Sequence, residues 1–298
     1  MISKGELDVK VIYGALIATM AIWGLNIVVI KIAITWFEPA AFAALRMIIA
    51  SIVLTIIFLA KGVHFPALTW RQLVAAVLCA FLMVYVNQIL FNEGLRRSTA
   101  TNGSLINALS PLASALLAAF VFRERLTLKQ ILGVILGFFG VVAVVFSHPN
   151  ASISDGGVGD LMIVSAVISF AVGGAIVQYL ARDFSALFIS WFIYLFGAVF
   201  LLFHDLIESS GSSVYAWFPG WWPWMLILFS GIVSTAVTSL VWNRAISVVG
   251  VSRTAVFFYW VPVFGVFFSI VLLGESLSGW HIFGFFAVML GTLLGTRR

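Results

Sequence analysis

Ten apolar runs, each long enough to cross a bilayer, dictate what this chain can become. They fall at about 11–34, 38–60, 70–92, 98–122, 128–147, 158–181, 184–204, 223–245, 252–273 and 279–296. A helix needs about 20 apolar residues to cross roughly 30 Å of hydrocarbon. Within that layer a helix also satisfies its own backbone N–H and C=O groups, which water cannot reach. The prediction is an all-α integral membrane protein with ten transmembrane helices. Composition closes the soluble alternative, because only 9% of residues are charged and the mean hydropathy is +1.16, against about 25% charged in a typical soluble domain. The connections are short; the longest, 148–157 and 205–222, leave no room for a soluble domain. The first run is too long for a signal-peptide core and lacks a cleavage site, so it reads as a retained helix.

The chain uses one stretch of about fifty residues twice. At a constant offset of 151, Asn92 aligns with Asn243, Pro111 with Pro262, Glu124 with Glu275, Leu126 with Leu277, Ile131 with Ile282, Gly133 with Gly284 and Gly140 with Gly291. The matches fall on Pro, Glu and Gly against a background of interchangeable Leu, Val and Phe. Five spans separate the copies, so they cross the membrane in opposite senses. The prediction is an inverted 5+5 repeat, with halves at 1–150 and 151–298 and both termini cytoplasmic. Basic residues agree. That orientation puts twelve of the 16 Lys and Arg on the cytoplasmic side and three (Lys31, Arg96, Arg97) on the other, as the positive-inside rule expects. Arg123, Arg125 and Lys129 flank the first turn, and Gly274, Ser276 and Trp280 replace them in the copy. Arg96 and Arg97 run against the trend. Repeats of this kind point to a transporter with a site near the midplane.

Local signals refine the picture. Thr69 with Gln72 and Thr127 with Gln130 have capping-box spacing, and Ser278 stands where Thr127 does. Pro111 and Pro262 fall in mid-span, where each removes a backbone hydrogen bond and bends a helix, either for packing or beside a cavity. Gly133, Gly137 and Gly140, with Gly284, Gly291 and Gly295, form small-residue stripes that let the fifth and tenth spans pack closely on each other or across a dimer. Trp217, Trp221 and Trp222 suit an interfacial belt.

Chemistry-bearing residues are few. No metalloprotease, phosphate-loop or nucleophile-elbow motif occurs, so an enzyme is not expected, nor a cofactor or a metal. The basic residues are scattered, which speaks against nucleic acid. His64, His148, His204 and His281 sit at span ends or in loops, where solvated histidines belong. Cys79 is the single cysteine, which rules out an intramolecular disulfide. Asn107, Ser110 and Ser114 share a face of the fourth span, near Asn102 and Ser104. Tyr85, Asn87, Gln88 and Asn92 enrich the third, Trp23 and Asn26 lie one turn apart in the first, and Trp242 with Asn243 marks the eighth. The ninth is aromatic: Phe257, Phe258, Tyr259 and Trp260. A polar wall facing an aromatic wall suits an amphipathic organic solute, although aromatics also fill lipid-facing volume. Arg46 lies inside the second span, where Arg costs about 2.5–3.5 kcal/mol. It has three outlets: a substrate carboxylate, a pair with Glu93, or snorkelling to the interface. No carboxylate falls at mid-membrane to serve as a coupling site.

The ordered set Ala21-Ile22-Trp23-Gly24-Leu25-Asn26, Arg46, Arg123-Glu124-Arg125-Leu126 with Gly133 and Gly140, and Pro262 with Gly274-Glu275-Ser276-Leu277 resembles the EamA-type drug/metabolite transporters over the whole chain. Arg123 departs from the Gly usual at that turn, and Ser169-Phe170-Ala171 lacks the Trp-Gly of the first span. The resemblance implies a ten-helix bacterial inner-membrane carrier that exports amino acids or other small metabolites. Its cavity would be lined by helices 1, 3, 4, 6, 8 and 9. The substrate-site residues expected on these grounds are Trp23, Asn26, Tyr85, Gln88, Asn107, Ser110, Trp242 and Tyr259, with Arg46 and Glu93 as charges for a carboxylate or for coupling. Expected partners are a small-molecule substrate and the bilayer, in a monomer or homodimer. A lipid or amphiphile translocator is the alternative.

Overall fold

The computed structural model describes residues 4–62, 65–121, 127–145, 155–208, 220–249 and 257–296. The described residues are helical apart from short turns and irregular links, without strands. Helix α1 is Lys4–Ala33 and α2 is Pro39–Ala60. Helix α3 runs through Trp70–Cys79, a π-helical segment Ala80–Val86, and Asn87–Arg97. Then follow α4 (Ala100–Asn107), α5 (Ser110–Val121), α6 (Leu128–Val145), α7 (Asp155–Leu180) and α8 (Ala186–Glu208). Helix α9 comprises Trp221–Leu228, a second π segment Phe229–Val237, and Thr238–Val249. A 3₁₀ turn Phe257–Tyr259 leads into α10 (Trp260–Leu273), and α11 is Gly279–Thr296. Among the described residues, six helices are long and apolar enough to cross a bilayer, and three more apolar helices are shorter.

Local chemistry explains several boundaries. Pro39 opens α2 at a position where its missing N–H costs nothing. Thr69 and Gln72 form the expected capping box at the start of α3, each side chain accepting from the other's backbone N–H. Gly274 ends α10 in the left-handed conformation at φ 66°, which a side chain would strain. Thr127 accepts from Ile131 N, whereas the side chain of Gln130 and the turn at Arg123–Leu126 lie outside the described residues.

The fourth apolar run, expected as one bent helix, is broken in two. Pro111 has no N–H to offer the carbonyl of Asn107 four residues back. That carbonyl accepts instead from Ser110 Oγ at 2.7 Å, and Ala108 and Leu109 close tighter i→i+3 turns. The Ala108 carbonyl takes a hydrogen bond from Thr292 Oγ1 at 3.2 Å. The break is thus capped partly from within, by Ser110, and partly by α11 packed against it.

The π segments need outside partners for the same reason. Widening the turn to i→i+5 takes backbone groups out of register with their usual mates. Trp23 Nε1 donates to the Ser234 carbonyl at 3.1 Å, from α1 to α9, and Ser169 Oγ donates to the Leu82 carbonyl at 2.7 Å, from α7 to α3. The segments end at Val86 and Val237, which stand 151 residues apart, the offset of the sequence repeat.

The glycine stripes pack on each other, as one of the two expectations had it. A Cβ on Gly291 would lie 2.5 Å from Gly137 N and 2.6 Å from Gly133 O, and one on Gly284 would lie 2.9 Å from Gly140 O. Gly133 therefore meets Gly291 while Gly140 meets Gly284, so α6 and α11 approach backbone to backbone. Gly24 and Gly265 bring α1 and α10 together similarly, a Cβ on Gly24 lying 2.7 Å from Gly265 N. The core between the helices is built from residues such as Met20, Val28, Phe42, Leu105 and Ile163. Ile56, Leu59, Phe138, Phe203 and Ile207 stand exposed on the outside, where lipid is the natural solvent.

Candidate functional site

The first candidate region forms where α1 and α2 pack on the π segment of α9, with the 3₁₀ turn against α1. Trp23, Trp242 and Phe258 touch pairwise, with ring centroids 5.2–5.5 Å apart. Trp23 Nε1 is fixed by Ser234 O and by Thr238 Oγ1 at 3.0 Å, so this indole cannot rotate without breaking two bonds. Asn26, one turn along α1, is 8% exposed and its Oδ1 has no hydrogen-bond partner. Arg46 donates from Nη1 to Ser230 Oγ at 3.0 Å, one turn of α9 from Ser234.

Arg46 neither snorkels nor pairs with Glu93. Its side chain is buried at 6% exposure, and Glu93 is held by Arg96 at 3.0 Å and Arg97 at 3.9 Å. Arg96 also reaches Glu38 at 3.2 Å. Those pairs account for the two arginines that ran against the charge rule, and they extend α3 five residues beyond the predicted span to Arg97.

Other expected site residues lie apart from this region. Tyr85 hydrogen-bonds His204 Nδ1 at 2.9 Å, and both line a groove of about 500 Å³ with Phe81, Phe200, Phe203 and Ile207. The last two are exposed, so the groove opens sideways between α3 and α8. Gln88 donates to Asn87 Oδ1 at 3.1 Å, and Asn87 reaches the Ala166 carbonyl of α7. Asn107 and Ser110 bond each other at the α4–α5 break, and the side chain of Ser114 lies outside the described residues. Tyr259 ends the 3₁₀ turn, partly buried. Trp260 is exposed and fills lipid-facing volume.

A second polar region, which sequence reasoning missed, sits at one end of the bundle. Ser278 caps α11 with His281 in the reciprocal place: Ser278 N–H donates to His281 Nδ1 at 2.9 Å. An Nδ1 that accepts leaves the proton on Nε2, which donates to Asn102 Oδ1 at 3.0 Å. Asn102 Nδ2 donates in turn to Asp160 Oδ2 at 3.0 Å, and Ser98 Oγ donates to Asp160 Oδ1. Lys31 Nζ donates to the carbonyls of Leu95 and Ser98 at the end of α3, a favourable place for a cation. Glu275 takes the N–H groups of Ala100 and Thr101 at 2.9 and 2.8 Å, capping α4 with a carboxylate. Asp160 and His281 are buried, so the expectation of a solvated His281 is corrected. His64 and His148 lie outside the described residues.

Comparison with known proteins places this assembly. The family model described as the EamA-like transporter family matches residues 10–146 and again 157–297. The chain belongs to that family. The EamA-like chain is 29% identical to "Uncharacterized transporter YetK" of Bacillus subtilis over 94% of itself and 84% of that protein. It is 26% identical to the "Probable terminal-alkyne amino-acid exporter" of Streptantibioticus cattleyicolor, over 95% and 93% of the two. It is 27% identical to the "Probable amino-acid metabolite efflux pump" of Salmonella typhimurium, over 91% and 90%. Its fold matches a solved crystal structure with a TM-score of 0.63 at 16% identity, covering 94% of this chain and 96% of that one. The EamA-like chain is thus a multi-pass membrane protein of a transporter family, with a bilayer and a small-molecule substrate as its partners.

Proposed function

We propose that this EamA-like protein is a secondary transporter that exports small organic metabolites, chiefly amino acids, aromatic ones included, by alternating access in the bacterial cytoplasmic membrane. The observation that carries the proposal is the first region: an aromatic trio, a hydroxyl-rich π segment, Asn26 and a buried guanidinium, contributed by helices distant in sequence. Such a mixture of ring faces and hydrogen-bonding groups suits a solute with an apolar body and charged ends. Two relatives named for amino-acid export support the substrate class.

The architecture proposed with it is ten spans in two inverted halves, 1–150 and 151–298, with both termini cytoplasmic. In its support, one family model matches twice, the π segments recur at the repeat offset, and the Gly133–Gly291 and Gly140–Gly284 contacts exchange under it. That reciprocity is what a pseudo-two-fold axis requires. The broken fourth run counts as one span. A reporter fused after Lys129 is expected in the cytoplasm and one after Glu275 outside; both on the same side would remove the inverted repeat.

Function is tested with purified protein in proteoliposomes loaded with each of the twenty amino acids. Saturable exchange of at least one is expected, and exchange of none would sink the proposal. The lateral groove at Tyr85 and His204 favours a second reading, an amphiphile translocator. On that reading a fluorescent phospholipid would equilibrate between leaflets faster than in protein-free vesicles.

A further inference from the structure

Arg46 poses a problem that the described residues do not solve among themselves. A guanidinium has five N–H donors and a permanent charge. Buried at 6% exposure, this one makes a single hydrogen bond, to Ser230 Oγ, and lies 6.0 Å from the ring centre of Phe42. Its Nε has no partner. Among the described residues, all ion pairs within 4 Å belong to Arg96 and Arg97. A buried charge without a counter-charge is costly, and among the described residues none supplies the anion that would relieve it.

The opposite pattern lies next to it. Asn26 Oδ1 on α1 and Ser234 Oγ on α9 are acceptors without partners, on side chains 8% and 4% exposed. Both α1 and α2 pack on the π segment that carries Ser230 and Ser234. Ser234 stands one turn from Ser230, and its carbonyl holds Trp23 of the aromatic trio. Spare donors with a positive charge thus adjoin spare acceptors, with an aromatic surface one turn away. That is the complement of a zwitterion with an apolar side chain.

We infer that Arg46 is the carboxylate-binding residue of the transport site. The substrate is an α-amino acid or a close α-substituted acid, its carboxylate held by Arg46 and Ser230. Its ammonium group is received by Asn26 Oδ1 and Ser234 Oγ. The inference rests on the transporter reading above and deepens it, because a carboxylate becomes the obligatory feature of the substrate.

The test compares, in proteoliposomes, exchange of the twenty L-amino acids with exchange of their carboxamides and of the amines left by decarboxylation. Acids are expected to exchange and amides and amines to fail. Arg46→Gln is expected to weaken apparent affinity for the best acid by about 30-fold or more, the usual result of removing one partner of a buried charge pair. Arg46→Lys keeps the charge without the fork and should fall between the two. Amides or amines exchanged as well as acids, or wild-type affinity in Arg46→Gln, would overturn the assignment while leaving the transporter reading intact. Exchange of no compound would remove both. Should the variants fail to fold, the acid-against-amide comparison on the unaltered protein still decides.

Discussion

The two buried polar regions are built on opposite terms. At the bundle end, Asp160, His281, Lys31 and Glu275 each meet hydrogen-bonding partners, in a chain that runs His281 to Asn102 to Asp160. Around the α9 π segment, Arg46 Nε, Asn26 Oδ1 and Ser234 Oγ meet none. A satisfied network holds one arrangement of helices, because each broken bond leaves a buried group exposed to hydrocarbon. An unsatisfied group raises the energy of the empty protein and lowers it again only when a ligand arrives. The first region therefore suits a latch that ties Ser98 and Asn102, at the start of α4, to Asp160 of α7 and His281 of α11. The second suits binding. Stability measurements separate them, because substitution should weaken the latch and not the binding region.

The largest effect is expected at Asp160. Asp160→Ala strips the acceptor from both Ser98 Oγ and Asn102 Nδ2. Hydrogen bonds between membrane helices reach about 1.7 kcal/mol at most, so losing two from buried donors should cost roughly 3 kcal/mol. Thermal unfolding in detergent should show a clear drop in Tm. An unchanged Tm would mean that the end network is ornamental, and the contrast between the regions would collapse.

Next comes Gly291→Val, which touches neither region and calibrates both. The new side chain would start within 2.5–2.9 Å of backbone atoms of Gly133 and Gly137, and backbone cannot rotate away. Overpacking of this kind costs about 1–3 kcal/mol. Because α11 also caps the break through Thr292, the variant should lose Tm without a selective loss of substrate affinity. A selective loss of affinity would place α6 and α11 in the substrate path.

These glycines were legible in the sequence, and Asp160 was not. Gly is the residue whose presence in a span has few explanations, so the stripes announced close packing. Apolar length likewise announced the spans, and Pro111 announced a bend, although the complete break depends on Ser110 and Thr292 capping the freed carbonyls. Asp160 and His281 sit near span ends, where sequence alone suggests headgroups and water. Only the packing of α4, α7 and α11 shows that this end is sealed. The π segments have no compositional mark at all, since their residues would suit an α-helix. Arg46 stood out as an anomaly, but its partner Ser230 lies 184 residues away, and no spacing rule reaches that far. Tyr85 was selected by its span, and its neighbours place it at a lateral groove.

At Arg46 the expected sign reverses. Arg46→Met replaces an unmatched buried cation with an apolar side chain of similar length. Exchanging buried charges for well-packed apolar residues is often neutral or stabilising, and functional groups are commonly held at a cost to stability. The variant is expected to be as stable as the wild type or about 1 kcal/mol more stable, with an equal or higher Tm, while losing exchange activity. A loss of stability comparable to that of Asp160→Ala would make Arg46 a structural group, and the two regions would no longer differ in kind.

The sharpest test of the latch chemistry is at His281, where the comparison turns on the small difference between two substitutions. The imidazole does two jobs: Nδ1 accepts from the Ser278 N–H that starts α11, and Nε2 donates to Asn102 Oδ1. His281→Ala loses both and should cost about 1–2 kcal/mol, as one cap and one interhelical bond. His281→Gln offers an amide oxygen to the Ser278 N–H, the usual arrangement of a capping box, and an NH₂ for Asn102. Gln130 stands 151 residues earlier in the sequence, at the offset of the proposed repeat. The expected order of Tm is wild type close to His281→Gln, with His281→Ala lower. If Gln and Ala behave alike, the neutral hydrogen-bond relay is wrong and His281 acts through its bulk; if Gln restores the wild-type Tm, the relay stands with a side chain that cannot be charged.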